Sequence, residues 1–193
     1  MIILAGKIGS GKSVVARLLR LEGFGVYDCD AAAKIIMGEN PDVKEALKRV
    51  CGEEIYDRDG KLCKRRLAEM IYGQEDVRKK VNETVHKAVI ADAVRWCEAD
   101  ARNLFVETAI PAESGLLDMA EEVWWLESSP ETKLSRVKQR DGRPHDEIEK
   151  IMKAQEQELS RIIRAGVKLV MIDNNGKHPL LPLIKKILED IRN

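Results

Sequence analysis

Gly6, Gly9, Gly11, Lys12 and Ser13 fall within one short stretch, GKIGSGKS, which matches G-x-x-x-x-G-K-S/T in full. Residues of these types at this spacing hold phosphates. The glycines admit backbone angles closed to other residues and keep side chains away from a bound anion. The loop's amides can then turn inward, and the helix that follows adds the positive end of its dipole. Lys12 supplies mobile charge for the outer phosphates, and Ser13 an oxygen for Mg2+. The ligand this predicts is a nucleoside triphosphate with Mg2+.

A magnesium nucleotide site calls for a further carboxylate at the carboxyl end of a neighbouring strand. Three segments offer one. LVMID ends in Asp173, VWWLE in Glu127, and FGVYDCD in Asp28 and Asp30. Asp173 runs straight into Asn174, Asn175 and Gly176, so it also reads as the cap of a turn. Glu127 precedes SSP, a helix start, and reads as a solvated or capping carboxylate. Asp28 and Asp30 alternate at the end of a strand pattern and are expected to point the same way. Such a carboxylate can orient a substrate hydroxyl or accept its proton. Asp30 also directly precedes AAAK, where it would serve as a helix cap.

The elements that must position these groups follow from hydrophobic periodicity. Residues 1–5 read as a buried strand, 13–22 as an amphipathic helix and 23–30 as a second strand. That succession opens an α/β domain with a parallel sheet. Helices are expected over 31–37, 41–50, 64–72 and 75–101. Strands are expected at NLFVETA, EVWWLES and KLVMI. Ser129, Pro130 and Glu131 predict a helix start, and RDGRPHDE breaks that helix. A further helix is expected to run unbroken to about residue 165, and a last one from residue 179. Trp124 and Trp125 should face opposite sides of the sheet, with one of them in the main core.

The chain has 193 residues, enough for one domain with a sizeable core. Lysine plus arginine and aspartate plus glutamate each total 33, so no net field favours nucleic acid or an anionic membrane. No apolar run reaches the roughly 18 residues of a membrane span, and the first residues lack the pattern of a secretory signal. Cys29, Cys51, Cys63 and Cys97 lie far apart, which fits apolar filler in a reducing compartment; a cytoplasmic location is expected. DRDG at 57–60 superficially fits a GTPase element, but it lies between helical patterns and reads as a turn.

Taken together, GKIGSGKS, VYDCDAAAK, VHK, ESGLL, RVKQRDG, AQEQE and IDNNG, in that order along almost the whole chain, resemble the dephospho-coenzyme A kinase family. The resemblance implies a P-loop NTPase-type α/β fold, a parallel sheet flanked by helices, with a helical substrate-binding insertion and a lid. The core would comprise about 1–30, 103–135 and 166–193, the helical CoA-binding region about 31–102, and the lid about 136–165. The implied reaction moves the γ-phosphoryl group of ATP to the ribose 3′-hydroxyl of dephospho-CoA, giving CoA and ADP.

Residue by residue, Gly9, Ser10, Gly11, Lys12, Ser13 and Val14 align with the family's ATP-binding loop. Ser13 would also meet Mg2+. Asp30 takes the place of the general base, with Asp28 beside it on the substrate side. His86 matches the histidine of the family's helical region. Arg140 matches the arginine of R-D-G, which brings charge over ATP alongside Lys12. Asn174 and Asn175 match the loop near the adenine. The sequence departs from the family pattern at Val14, at Lys7 in LAGK, in VHK and in TAIPAE at 108–113. The partner implied is a small molecule, with no nucleic acid, membrane or obligate protein partner. Two other readings stay open: another small-acceptor P-loop kinase of nucleoside, nucleotide or shikimate type, and a nucleotide-binding switch protein.

Overall fold

The computed structural model describes residues 1–192. Asn193, the last residue of the expected core, lies outside the described residues. The elements run β1 (Ile2–Ala5), α1 (Lys12–Leu21), β2 (Gly25–Asp28), α2 (Cys29–Glu39), α3 (Pro41–Cys51), α4 (Lys64–Ile71) and α5 (Glu75–Ala99). They continue with β3 (Asn103–Glu107), α6 (Pro111–Ser114), β4 (Glu122–Glu127), α7 (Pro130–Asp141), α8 (His145–Ala154), α9 (Glu158–Ala165), β5 (Lys168–Asp173) and α10 (Leu180–Arg192). The chain packs as two units, residues 1–27 with everything from Trp96 onward, and Asp28–Arg95.

The first unit holds a five-stranded sheet in the order β2-β3-β1-β4-β5. β1 pairs in parallel with both β3 and β4, and β4 with β5. Ile2, Leu4, Phe105, Trp124, Leu126 and Ile172 join Val15, Ala16, Leu19, Ile184 and Leu188 in one core cluster. Phe105 sets its ring edge-on to Trp124 at 5.0 Å between centroids. The opposite face is closed as well, since Ile3, Val123 and Trp125 are fully buried. A parallel sheet carries helices on both faces, so its central strands are apolar throughout. Both tryptophans are therefore buried, and Trp124 is the one that joins the main core cluster, as expected.

Because the strands are parallel, β1, β3, β4 and β5 end at one edge, with Glu127 in register with Asp173. The order places β1 where the chain has stepped to β3 on one side and β4 on the other. Ligands of open α/β sheets bind in the crevice at such a switch point, and the loop that leaves β1 there is GKIGSGKS.

The second unit is built from α2, α3, α4 and most of α5. Asn40 caps α3 by accepting from the amides of Asp42 and Val43, and Pro41 fills the first helical position. Ile36, Val43, Leu47, Cys51, Ile55 and Leu67 are buried. The valine stripe of α5, Val81, Val85 and Val89, turns inward as its four-residue spacing predicts. Asp57 accepts from the amides of Asp59 and Lys61, so DRDG is a turn.

Candidate active site

The loop between β1 and α1 is made for an anion. No side chain caps α1, and its first turn carries no acid. The amides of Val14 and Val15 turn onto the carbonyl of Gly11 at 3.0 and 3.3 Å, and the positive pole of the helix faces the loop. Lys12 Nζ donates to the carbonyls of Gly6 at 2.7 Å and Lys7 at 3.4 Å, which keeps its ammonium on the loop. Ser13 stands in the first turn of α1. This set of donors, one mobile cation and one hydroxyl fits a polyphosphate with Mg2+.

The glycines serve a purpose the motif alone does not reveal. Gly9 has φ +78, and a Cβ on it would lie 2.5 Å from the carbonyl oxygen of Lys133. Gly11 has φ +101, and a Cβ there would lie 2.1 Å from Nδ2 of Asn174. At both positions the loop is pressed against protein on its outer side in a conformation with positive φ, which favours glycine.

That outer side is a dense brace. Asn174, buried at the end of β5, donates from Nδ2 to the carbonyl of Ser10 at 2.8 Å. Arg136 on α7 donates to the carbonyl of Asn174 at 3.0 Å and to Ser128 Oγ at 3.1 Å. The same guanidinium reaches the carbonyls of Gly9 and Ser10 at 3.4 and 3.5 Å. Ser128 Oγ donates in turn to the carbonyl of Asn174 at 2.9 Å. Asn175 accepts from the amide of Ser129 at 2.6 Å, at the start of α7. Asp173 accepts from the amide of Asn175 at 3.1 Å and is the turn cap that its neighbours suggest.

Glu127 is partly solvated as expected, its side chain 38% exposed, and it also binds groups that the sequence did not mark. It accepts from the buried ammonium of Lys133, from the Trp125 indole at 3.1 Å and from the Ser128 amide at 3.0 Å. Burial alone would raise its carboxyl pKa, but these three donors together hold it below the usual carboxylate range. It fastens β4 to α7 directly behind the phosphate loop.

The two aspartates after β2 also differ from expectation. The strand stops at Asp28, whose side chain accepts from the amide of Ala31 at 3.0 Å and caps α2. Asp30 is therefore an exposed residue in the first turn of α2 and not a strand residue, so strand alternation does not govern it. The cap is Asp28, not Asp30. His86 is half-buried on α5 beside the valine stripe. Asp28, Asp30 and His86 belong to the second unit; the phosphate loop, Asn174, Asn175 and Arg140 belong to the first. Arg140 is an exposed residue near the end of α7 and forks onto Asp141 at 2.6 and 2.8 Å.

The expected single helix to residue 165 is two helices, α8 and α9, separated by a turn at Gln155–Gln157. The turn has a structural use. Gln155 accepts from the amide of Ile8, in the phosphate loop, at 2.8 Å. Glu158 is buried and accepts from the amides of Ala112 and Glu113 in α6. Sequence reasoning gave neither residue a role, because Gln and Glu in a helical pattern read as solvent-facing and no Gly or Pro marks the break.

A phosphate loop at the switch point of a parallel sheet, braced from the next two strands, defines a P-loop kinase fold. The family model for dephospho-CoA kinase matches residues 1–179. The chain belongs to the dephospho-CoA kinase family, a family of ATP-dependent phosphotransferases. A curated dephospho-CoA kinase from Porphyromonas gingivalis is 33% identical over 98% of this chain and 93% of its own length. A solved Thermus thermophilus structure, described as TT1252, is 27% identical with TM-score 0.77, covering 98% of this chain and 94% of that one. A shikimate kinase from Acinetobacter baumannii shares the fold alone, at 19% identity and TM-score 0.53, covering 98% of this chain and 91% of that one.

Proposed function

We propose that the protein transfers the γ-phosphoryl group of ATP to the ribose 3′-hydroxyl of dephospho-CoA, giving CoA and ADP. The observation that carries this reading is the uncapped phosphate loop at the end of β1, in a chain matched along most of its length by one kinase family. Gly9, Ser10, Gly11, Lys12, Ser13 and Val14 hold the donor's phosphates through backbone amides, helix dipole and ammonium. Ser13 would hold Mg2+, which would supply neutralisation of the charge on the transferred group. Asn174 and Asn175 serve the ATP site from the β5 loop, Asn174 by fixing the carbonyl of Ser10.

Phosphoryl transfer asks of the protein chiefly alignment and electrostatic stabilisation. The bond from the γ-phosphorus to the bridging oxygen breaks, and that oxygen leaves on ADP as the 3′-oxygen bonds to phosphorus. The hydroxyl proton passes to Asp30 and from there to water. Asp28 sets the start of α2 and so the direction of Asp30. The helical unit, with His86, takes the acceptor. Arg140, in a lid of about 136–165, leaves Asp141 for the γ-phosphate and excludes water from the reacting atoms. A cytoplasmic location is part of this reading, supported by four cysteines that form no disulfide among the described residues.

The test is ADP release from Mg-ATP with dephospho-CoA, adenosine, AMP and shikimate as parallel acceptors. The reading requires turnover with dephospho-CoA well above the others. Turnover with shikimate or a nucleoside instead, or ATP bound without any acceptor-dependent ADP, would refute it.

A further inference from the structure

Glu158 is an acid in the interior of the first unit, only 1% exposed. Its two oxygens are both occupied. Oε2 accepts from the amide of Ala112 at 2.8 Å and Oε1 from the amide of Glu113 at 3.2 Å. Arg161, one turn on in α9, lies 3.3 Å from Oε1. Burial still outweighs these donors and pushes the carboxyl pKa up. An acid kept in such surroundings fixes a backbone that an apolar side chain would leave unpaired.

The backbone it fixes is the segment after β3. Thr108 continues that strand by donating its amide to the carbonyl of Leu4 at 3.1 Å. Residues 108–114 thus leave the sheet at the same edge as the phosphate loop, from the strand next to β1. With the donor's phosphates on the β1 loop, the β3 loop is the neighbouring wall of the switch-point crevice. At the other end of the same short turn, Gln155 Oε1 takes the amide of Ile8 in the phosphate loop at 2.8 Å.

We infer that Gln155 and Glu158 are positioning residues for two separate substrates. Gln155 fixes the donor loop, and Glu158 fixes the 108–114 segment as the acceptor-side wall. One turn between α8 and α9 thereby sets the spacing of the two reactants. The inference rests on the kinase reading above.

The experiment uses the full chain with Glu158→Gln, Gln155→Leu and Gln155→Glu, varying Mg-ATP and dephospho-CoA independently. Calorimetry without acceptor gives the Kd for ATP. Glu158→Gln turns one acceptor oxygen into an amide facing another amide, so the KM for dephospho-CoA is expected to rise about tenfold. The Kd for ATP in that variant stays within about twofold of wild type. Gln155→Leu removes the oxygen that accepts from the amide of Ile8, and the KM and Kd for ATP rise about tenfold while the KM for dephospho-CoA holds. Gln155→Glu keeps an acceptor oxygen and restores ATP binding.

Equal shifts of both KM values in each variant, or no shift in either, would overturn the inference. Should Glu158→Gln not accumulate as folded protein, Glu158→Asp, which keeps the charge and shortens the reach, makes the same comparison. A wild-type protein that binds ATP yet makes no CoA would refute the kinase reading instead. In that case the ATP Kd of Gln155→Leu still decides the donor half.

Discussion

Replacing Asn174 by alanine separates two accounts of the β5 loop. The family resemblance sets Asn174 beside the adenine, whereas its side chain is spent on the carbonyl of Ser10, 2.8 Å from Nδ2 in a buried position. Alanine keeps the backbone carbonyl that receives Ser128 and Arg136 and deletes only this one donor. The Ser10 carbonyl is then left with Ser128 Oγ at 3.4 Å and Arg136 at 3.5 Å, both too long to replace it. A lost bond of about 1 kcal/mol plus a partly orphaned acceptor gives a loss of about 2 kcal/mol. For a chain of this size that lowers Tm by about 4–8 °C. If the whole loss falls on the ordered loop, ATP affinity drops by about 30-fold. Because the brace acts on the loop and not on the base, inorganic tripolyphosphate must weaken by the same factor as ATP. Calorimetric titration of wild type and Asn174→Ala with both ligands measures the ratio. Weakened ATP with unchanged tripolyphosphate would refute the brace and restore the adenine contact.

Four further outcomes are expected. Asp30→Asn lowers kcat by about 10²–10⁴-fold, the range of a general base, with the Kd for ATP unchanged by calorimetry; full turnover would remove Asp30 from the chemistry. Trp125→Ala, at a fully buried site on the second sheet face, destabilises by about 3–5 kcal/mol in urea unfolding. Because the folded carboxyl of Glu127 lies below its unfolded value, its contribution is present above the ordinary carboxylate pKa and is lost as pH falls through the lower one. Glu127→Gln therefore flattens the acid limb of the stability curve, read by Tm against pH. Arg102 holds the Asp100 carboxyl at about 2, so its carboxyl carbon signal titrates near that pH in a series of NMR spectra.

The parts of the site that were legible in the sequence are those where chemistry restricts residue type. GKIGSGKS could be placed because its glycines, lysine and serine each answer a separate demand, and the strand before it and the helix after it follow from apolar runs. The Ser129 cap and the Asp57 turn were likewise local. What the sequence concealed depends on contacts between distant segments. Asp30 looked like a strand residue because nothing local shows that Asp28 ends the strand by capping α2. Glu127, Gln155 and Glu158 carry no local signal of the groups they bind. Their partners, Lys133, Ile8 and the amides of α6, lie six, 147 and about 45 residues away in sequence. Arg136 carries no local signal of its role, although it spans the loops after β1, β4 and β5.

The central claim is that a phosphoryl group moves from ATP to one oxygen of dephospho-CoA. The most direct measurement incubates the protein with dephospho-CoA, Mg2+ and ATP labelled with ¹⁸O in the γ-phosphoryl group, followed by mass and phosphorus NMR analysis of the product. The account predicts one labelled phosphoryl group per CoA formed, attached at the ribose 3′-oxygen, with one ADP released for each. Label recovered as free phosphate, or attached elsewhere on the acceptor, would contradict it.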